Sequence, residues 1–421
     1  MGILMSILGM AVLLGMAVLL SSNRKAIRLR TVAGAFLIQL FFGAFVLYVP
    51  VGRKMLMGLA DGVGAVIGYG NDGISFLFGG LVSDAMFEHF GGGGFVFALR
   101  VLPVIVFFSA LIAVLYYIGV MRWVVNILGG ALQKVLGTSR TESLSATANI
   151  FVGQTEAPLV VRPYIARMTQ SELFAVMVGG LASVAGSVLA GYASMGVPLE
   201  YLIAASFMAA PGGLLFAKLL LPETEVPQDR LEPGKDGSEG EENPPVNVID
   251  AAASGAASGL TLALNVGAML LAFVGLIALV NGLIGSIGAE LNHPEWSLEF
   301  FLGWIFSPVA FLIGVPWQEA SVAGSFIGQK LIVNEFVAYL NFAPYLSEAA
   351  PMVLSEKTKA IISFGLCGFA NLSSIAILLG GLGSMAPGRR GDIARLGLRA
   401  VLAGTLSNLM SGTMAGLFLS L

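Results

Sequence analysis

The sequence predicts an all-α polytopic membrane protein, and three observations lead to that class. Hydrophobic residues make up 57% of the 421 residues and charged residues only 11%, whereas soluble domains usually carry about 25% charged residues. The mean hydropathy is +0.88. The apolar residues form blocks of about 20, the helix length that crosses about 30 Å of hydrocarbon. A soluble enzyme, a disordered chain and a nucleic-acid-binding protein are therefore excluded.

Cysteine and histidine are too sparse to form a metal centre. Cys367 is the single cysteine, so neither an internal disulfide nor a cysteine-based metal cluster is possible within one chain. His89 and His293 each lack a second ligand at helical spacing, so zinc and haem have no support. We expect no cofactor.

Apolar blocks and their interruptions predict about eight transmembrane helices, two re-entrant helical hairpins and an interfacial helix. The first block, near residues 3–20, lacks the positive flank of a signal peptide and is expected to be retained. The segment from Ile74 to Val82 is too short to span and is predicted to lie along the membrane face. The other predicted spans lie near residues 31–51, 101–121, 173–195, 199–221, 252–287, 331–346 with 359–383, and 395–421.

The order of these blocks divides the chain into five parts. Residues 223–250 carry nine acidic residues against two basic ones without periodicity, which predicts a flexible cytoplasmic linker. The predicted parts are scaffold spans with the interfacial helix (1–140), a first transport repeat (141–222), the acidic linker (223–250), a scaffold span (251–290) and a second transport repeat (291–421).

Basic residues predict the orientation of the chain. Four lie in residues 24–30, three in 122–140 and four in 389–399, all in connections that the threading places inside the cell. Cytoplasmic loops carry an excess of Lys and Arg. Both termini are therefore predicted to lie outside.

Two polar interruptions of the hydrophobic pattern predict an inverted repeat. Residues 152–158 and 314–320 each contain a glycine, a glutamine and a glutamate–alanine pair, and a small-residue break follows each, at 183–187 and 368–374. Inverted repeats with broken helices build the midplane sites of many secondary transporters. Glutamate and glutamine inside a membrane usually mark a substrate or ion path, although isolated serines such as Ser183 also act as helix–helix contacts.

Three motifs in order resemble the signatures of the concentrative nucleoside transporter family, and the resemblance extends from about residue 30 to the end. They are Asn149–Leu159, Asn334–Tyr339 and Cys367–Ile375. The resemblance implies a homotrimer in which a mobile transport part slides against a scaffold like an elevator. The chain is similar in length to the short bacterial form, which implies a bacterial inner membrane.

The resemblance assigns the nucleoside base to the tip of the first hairpin, at Gln154, Thr155 and Glu156. A glutamine amide both donates and accepts, which suits the edge of a base. Val188 and Phe369 are expected to form apolar walls, with plain packing as the alternative for both. Glu156 has the alternative role of capping backbone amides of the broken helix.

The resemblance assigns the ribose to Glu335, Asn371 and Ser374. A carboxylate that accepts from hydroxyls makes short, charge-assisted bonds. Asn371 and Ser374 lie three residues apart and therefore share a helix face.

A sodium site is expected at the first hairpin and the span break, with side-chain oxygens from Asn149 and Ser183 and backbone carbonyls from Val152 and Val184. This set resembles the sodium site of the family. A proton is the alternative coupling ion, carried by Glu156 or Glu335. Gln318 and Glu319 are expected either to line an outer gate or to hold the second hairpin in shape.

Together these features predict a secondary active symporter that moves nucleosides such as uridine into the cell with sodium. The alternatives are a proton-coupled nucleoside symporter and an elevator carrier for another small polar solute. A dicarboxylate carrier would need cationic groups at the substrate, whereas the motifs offer carboxylates. An enzyme is disfavoured because the sequence contains no HExxH motif and no histidine near the polar hairpins. A channel is disfavoured because hairpins with broken spans suit occlusion. The expected partners are the nucleoside, membrane lipid and two further copies of the chain, with no catalytic residue and no nucleic acid.

Overall fold

A computed structural model describes residues 2–83, 85–90, 96–227, 245–347 and 352–421. Within these ranges every regular element is a helix. The all-α class predicted from composition is therefore confirmed.

The first half of the chain contains twelve α-helices in the described residues. They are α1 (Gly2–Leu19), α2 (Leu29–Leu47), α3 (Pro50–Phe78), α4 (Ala85–Phe90), α5 (Phe97–Arg100), α6 (Leu102–Tyr117), α7 (Val120–Leu136), α8 (Arg140–Ala148), α9 (Arg162–Ile165), α10 (Gln170–Ala182), α11 (Gly186–Ser194) and α12 (Leu199–Leu220).

The second half begins with a long helix and continues with six shorter or broken elements. They are α13 (Val248–Glu290), α14 (Leu298–Leu312), α15 (Trp317–Ile332), α16 (Glu335–Phe342), α17 (Glu356–Leu366), α18 (Ser374–Met385) and α19 (Arg390–Phe418). Short 3₁₀ turns extend several of these helices.

Six helices of the described chain are long and apolar enough to cross a membrane. The bent pair α14–α15, with 115° between its halves, raises the number to seven when it is taken as one span. The spans lie at Leu29–Leu47, Phe97–Tyr117, Gln170–Ser194, Leu199–Leu220, Val248–Glu290 and Pro387–Phe418. The chain is a membrane protein.

The spans differ sharply in how deeply they are buried within the protomer. The apolar windows of α10–α11 and α12 are each 94% buried and that of α19 is 89% buried. The corresponding window of α13 is only 17% buried. The fold therefore has a central bundle of α10, α12 and α19, while α13 packs mainly against α6 at its side. Helices α1 and α2 pack on the central bundle, against α19 and α12 respectively.

Both helix breaks predicted from small residues are present. The first interrupts the span between the end of α10 at Ala182 and the start of α11 at Gly186. The second separates the end of α17 at Leu366 from the start of α18 at Ser374. The two breaks meet, because the backbone N–H of Phe369 donates to the carbonyl of Ser183 over 3.1 Å.

The second hairpin lies later in the chain than the sequence comparison placed it. The bend at Ile313–Pro316 joins α14 to α15, but the break that reaches the interior cavity is the one at Val333–Asn334, between α15 and α16. Gln318 is exposed, and Glu319 accepts from the backbone and hydroxyl of Ser355. Pairing residues 314–320 with 152–158 was therefore wrong.

The structural counterpart of Glu319 is Glu142 rather than Glu156. Both lie in the first turn of the first arm of a hairpin, where a carboxylate is favoured by the helix dipole. Glu142 completes a capping box with Ser139, and Glu319 holds the start of α17 through Ser355. Of the two roles expected for Glu319, the structure favours holding the hairpin in shape.

The helix that contains most of the predicted interfacial segment is longer than predicted. Helix α3 begins with a proline at Pro50 and runs 29 residues to Phe78, whereas the sequence suggested a short helix over residues 74–82. Helix α3 runs through several glycines, and two of them allow close packing. A Cβ atom on Gly52 would overlap the Phe45 carbonyl, and one on Gly70 would lie 2.8 Å from the Phe107 ring.

Most of the predicted acidic linker falls outside the described residues, which resume at 245. Its first residue, Glu223, is buried and accepts a 2.8 Å hydrogen bond from Thr169. Its last residues already belong to α13, which begins at Val248.

Two glycines set the close approach of α13 to α6. A Cβ atom on Gly255 would lie 2.5 Å from that of Ala113, and one on Gly259 would lie 2.7 Å from that of Ser109. Gly275, on the same helix, has no heavy atom within 4 Å of such a position.

We predict that Gly259→Ala destabilises the protein by about 1–3 kcal/mol, because the added methyl group forces the two backbones apart. Gly275→Ala is the matched control, since it makes the same change on the same helix in open space. Thermal unfolding in detergent checks this prediction. Equal unfolding temperatures for the two variants would contradict the close packing of α6 and α13.

Candidate functional site

One internal cavity lies where the hairpin tips and both helix breaks converge. All eight residues predicted to contact a substrate line this cavity: Gln154, Thr155, Glu156, Val188, Glu335, Phe369, Asn371 and Ser374. They come from four separate parts of the chain. The fold therefore brings together residues that the sequence presents in separate motifs.

At the tip of the first hairpin, Gln154 and Thr155 each pack closely against a glycine. A Cβ atom on Gly180 would lie 2.7 Å from that of Gln154, and one on Gly381 would lie 2.7 Å from the methyl group of Thr155. Gln154 is buried, and its amide nitrogen lies 3.4 Å from the Ser374 hydroxyl. Its Oε1 is buried and has no hydrogen-bond partner among the described residues. An unpaired buried acceptor is costly, so this oxygen is suited to a ligand.

Glu335 is the buried charge at the other side of the cavity. It is 3% exposed. Its Oε1 accepts from the Tyr192 hydroxyl and its Oε2 accepts from the Asn371 amide, each over 3.0 Å. A carboxylate has about four acceptor positions. Two donors therefore hold Glu335 in place and leave capacity for further hydroxyl groups.

Asn371 is itself fixed by the second helix break. Its Oδ1 accepts from the Ser374 backbone N–H over 2.9 Å and from the Ser373 hydroxyl over 2.7 Å. The amide of Asn371 is thereby oriented with its nitrogen toward Glu335. The order Asn–Leu–Ser–Ser serves both to cap α18 and to orient a carboxylate.

Sequence reasoning did not identify Tyr192 as part of the site. It lies on α11, four residues after Val188, and its ring centroid is 4.8 Å from that of Phe336 and 4.4 Å from that of Tyr339. The spacing from Val188 places both side chains on one face of α11. That spacing was the available signal, but only the fold shows that Glu335 lies opposite.

Two of the residues predicted to bind sodium, Asn149 and Ser183, contact the last turn of α10. A Cβ atom on Gly179 would lie 3.2 Å from the Asn149 amide nitrogen. The Ser183 hydroxyl donates to the Gly179 carbonyl over 2.9 Å. Asn149 Oδ1 and Ser145 Oγ are buried and have no partner among the described residues. Neutral oxygens that lack donors are a donor set suited to a small monovalent cation.

The backbone on either side of this crossing is irregular. Val152 follows the end of α8 and Val184 lies in the break after α10, and both are buried. The Gly186 N–H donates to the Phe151 carbonyl over 3.0 Å, which ties the hairpin to the span break. The carbonyls of Val152 and Val184 thus lie next to a fixed crossing, at the ends of helices where carbonyl groups lack intrahelical donors.

A buried ionic cluster ties the first hairpin to α10 and α12 at the opposite end of the hairpin arm. The Lys218 ammonium contacts Glu142 and donates to the Ser171 hydroxyl over 2.7 Å. The Thr141 hydroxyl donates to Glu172 over 3.0 Å. This end of the hairpin is therefore held firmly, while the tip contacts the cavity.

The remaining wall of the cavity is apolar and comes from α13. Its lining side chains are Leu262, Val266, Met269 and Leu270. The polar residues of the cavity all come from the hairpins and broken helices. The cavity is thus polar on the side of the central bundle and apolar on the side of α13.

Comparison with known families agrees with this architecture. The model of the C-terminal part of Na⁺-dependent nucleoside transporters matches residues 201–416, and the N-terminal model matches residues 8–81. A nucleoside-recognition gate model matches residues 98–199. The chain belongs to the concentrative nucleoside transporter family.

Bacterial relatives of this transporter are similar over nearly their full length, and a mammalian relative over about two thirds of its own. It is 62% identical to an uncharacterized transporter of Haemophilus influenzae, over 100% of this chain and 99% of the relative. It is 56% identical to the nucleoside permease NupC of Helicobacter pylori, over 99% and 98%. It is 39% identical to the mouse sodium/nucleoside cotransporter 1, over 98% of this chain and 63% of the relative.

Solved structures of CNTnw share the fold of this transporter in more than one state. The structure in an inward-facing, substrate-bound state has a TM-score of 0.95 at 66% identity, covering 100% of this chain and 98% of that one. A doubly substituted CNTnw in an outward-facing state has a TM-score of 0.97 at 66% identity, with the same coverage. The family resemblance is confirmed, and the chain is a membrane transporter rather than an enzyme.

We predict that Tyr192→Phe destabilises the folded protein by about 1.5–3 kcal/mol, because a hydrogen bond to a buried charged group is lost. Tyr116→Phe is the matched control, since the Tyr116 hydroxyl is buried without a partner in the described chain. Thermal unfolding in detergent without ligand checks both. An equal loss of stability in the two variants would show that the hydroxyl of Tyr192 does not support Glu335.

Proposed function

We propose that this protein is a secondary active symporter that carries nucleosides such as uridine into the cell together with sodium. The observation that carries the proposal is the convergence of seven motif residues and Val188 on one cavity. The relatives named nucleoside permease NupC and sodium/nucleoside cotransporter 1 support both the substrate class and the ion.

The base of the nucleoside lies at the tip of the first hairpin in this proposal. Gln154 presents the unpaired Oε1 to donors on the edge of the base, and Thr155 and Glu156 supply a hydroxyl and a carboxylate beside it. Val188 and Phe369 cover the faces of the ring. Burial of a planar apolar face and pairing of an orphan acceptor both favour binding.

The ribose lies against Glu335, Asn371 and Ser374. Glu335 is held by two donors and accepts further hydrogen bonds from the sugar hydroxyls. Hydrogen bonds to a charged group contribute about 1.5–3 kcal/mol each. A free base, which lacks these hydroxyls, is therefore bound much more weakly than its nucleoside.

Sodium binds where the first hairpin, after the end of α8, crosses the break that follows α10. Asn149 and Ser183 contribute side-chain oxygens, and Val152 and Val184 contribute carbonyls. The fit rests on the two buried oxygens without partners, Asn149 Oδ1 and Ser145 Oγ. The ion sits beside the hairpin that carries the base-binding residues, so ion and nucleoside stabilise the same arrangement of the tip.

Movement in this proposal is a slide of the central bundle against α13 and α6. The α13 side of the cavity offers apolar side chains, which form no directional bonds that would oppose sliding. The outer face of α13 carries exposed apolar residues, including Leu271, Leu279 and Leu283. A homotrimer that covers this face would hold α13 still while the bundle moves. We assign residues 141–222 and 291–421 to the moving part and residues 1–140 and 251–290 to the scaffold. Within residues 1–140, α6 packs against α13, whereas α1 and α2 contact the bundle through α19 and α12.

We place the protein in a bacterial inner membrane, surrounded by lipid, with both termini in the periplasm. The clusters of basic residues at 24–30 and 389–399 support this orientation. The full-length similarity to bacterial relatives supports the location.

The test of the proposal is uptake of labelled uridine into proteoliposomes with and without an inward sodium gradient. We predict concentrative uptake that needs sodium. Glu335→Gln is predicted to reduce uridine affinity about 10- to 100-fold, because about 1.5–3 kcal/mol of charge-assisted bonding is lost. Glu319→Gln is the matched control, since it neutralises a carboxylate of the second repeat that lies away from the cavity.

Each of the remaining outcomes would contradict one defined part of the proposal. Uptake driven equally by a proton gradient without sodium would retain the substrate and make Glu156 or Glu335 the proton carrier. Sodium-driven uptake of a different polar solute, without uridine uptake, would retain the ion and remove the substrate. Equal effects of the two glutamine variants would remove Glu335 from the binding site.

A further inference from the structure

Lys330 is a buried cation in the second repeat. It has no role in the proposed transport cycle. It lies in the last turn of α15, immediately before the hairpin break, and is 3% exposed. Its ammonium donates to the Gly365 carbonyl over 2.8 Å and to Asn408 Oδ1 over 2.7 Å. A buried charge without compensation is very costly, so these contacts are a specific arrangement rather than incidental packing.

The acceptors of Lys330 are neutral oxygens at a helix break. Gly365 lies in the last turn of α17, one residue before the helix ends at Leu366. Asn408 comes from α19, and its amide nitrogen donates to the Ala182 carbonyl over 2.6 Å and to the Cys367 carbonyl over 3.0 Å. The Lys330 ammonium is thus bound by one carbonyl oxygen and one amide oxygen. The same Asn408 amide group hydrogen-bonds to the ends of both broken helices.

The first repeat has the same crossing without an ammonium group. There the last turn of α8 meets the last turn of α10, and Asn149 Oδ1 and Ser145 Oγ have no hydrogen-bond partner among the described residues. In the second repeat the last turn of α15 meets the last turn of α17, and the oxygens of Gly365 and Asn408 receive the lysine. The two repeats therefore differ in whether a covalently attached cation fills the crossing.

We propose that the ammonium of Lys330 occupies, in the second repeat, the position that the transported sodium ion takes in the first. The inference rests on the proposed sodium site and extends it. The tethered ammonium cannot leave with the nucleoside, so the second crossing stays occupied and closed through the cycle. One crossing then exchanges an ion with each side of the membrane, and the other never does.

Removing the tether without filling its space should open a second cation site. Lys330→Ala leaves the Gly365 carbonyl and Asn408 Oδ1 without a donor and vacates the volume of the side chain. Lys330→Met removes the same charge but keeps most of that volume. Sodium, which takes oxygen ligands, therefore has room in the alanine variant and little in the methionine variant.

The experiment measures thermal unfolding of the parent, Lys330→Ala and Lys330→Met in detergent, in sodium chloride or choline chloride at equal ionic strength. All proteins are purified in sodium and then exchanged. We expect Lys330→Ala to unfold well below the parent in choline and to recover in sodium by a clearly larger shift than the parent shows. Lys330→Met should show no more than the parent's shift. For uptake by Lys330→Ala, the Hill coefficient for sodium should rise from about 1 toward about 2, since it is bounded by the number of sites.

Lys330 would be only a structural tether if the alanine variant responded to sodium no more than the parent does, and that result overturns the inference. A recovery of Lys330→Met equal to that of Lys330→Ala would overturn it too, because the vacated volume would not matter. A parent without any sodium response, beside an alanine variant with one, would support the cation site at Lys330 and contradict sodium coupling in the parent.

Discussion

Broken helices inside a membrane expose backbone groups that water cannot reach, and the fold is arranged around satisfying them. A helix end leaves N–H or carbonyl groups without intrahelical partners, and irregular backbone survives at this depth only where protein or a cavity surrounds it. Here the two breaks satisfy each other. The Phe369 N–H donates to Ser183, and the Asn408 amide donates to the carbonyls of Ala182 and Cys367. The dense packing of α10, α12 and α19 follows, because these contacts require the breaks to meet.

The buried polar groups that do not take part in the pairing of the two breaks define the site. Asn149 Oδ1 and Gln154 Oε1 stay buried and unpaired in the described chain, and Glu335 keeps acceptor capacity beyond its two donors. An orphan acceptor costs free energy that a bound cation or a nucleoside donor removes. In the proposed transport cycle, the ion and the nucleoside satisfy acceptors in one connected site that includes the tip of the first hairpin. Differential binding of this kind is what shifts a protein between conformations.

The sequence was sufficient to predict features that depend on local composition. It did not predict features that depend on tertiary contacts. Hydropathy identified the six long apolar spans, although about eight were predicted. Small-residue runs identified both breaks, and the motifs contain seven of the eight predicted residues that line the cavity. The second hairpin was misplaced, because a short Gln–Glu–Ala match at residues 318–320 outweighed the break at Asn334. Tyr192 was missed because its polar contact is with a residue 143 positions away. The fold shows that contact only when α11 crosses α16, and no local pattern encodes the crossing.

The measurement that tests this account most directly is equilibrium binding of uridine and sodium by calorimetry, each in the absence and presence of the other. If both ligands complete one network, sodium raises uridine affinity and uridine raises sodium affinity by the same factor, as linkage requires. Ser183→Ala should reduce that factor, whereas Ser307→Ala, which removes a similar hydroxyl-to-carbonyl bond in α14, should leave it unchanged. Uridine affinity that is identical with and without sodium would contradict the account.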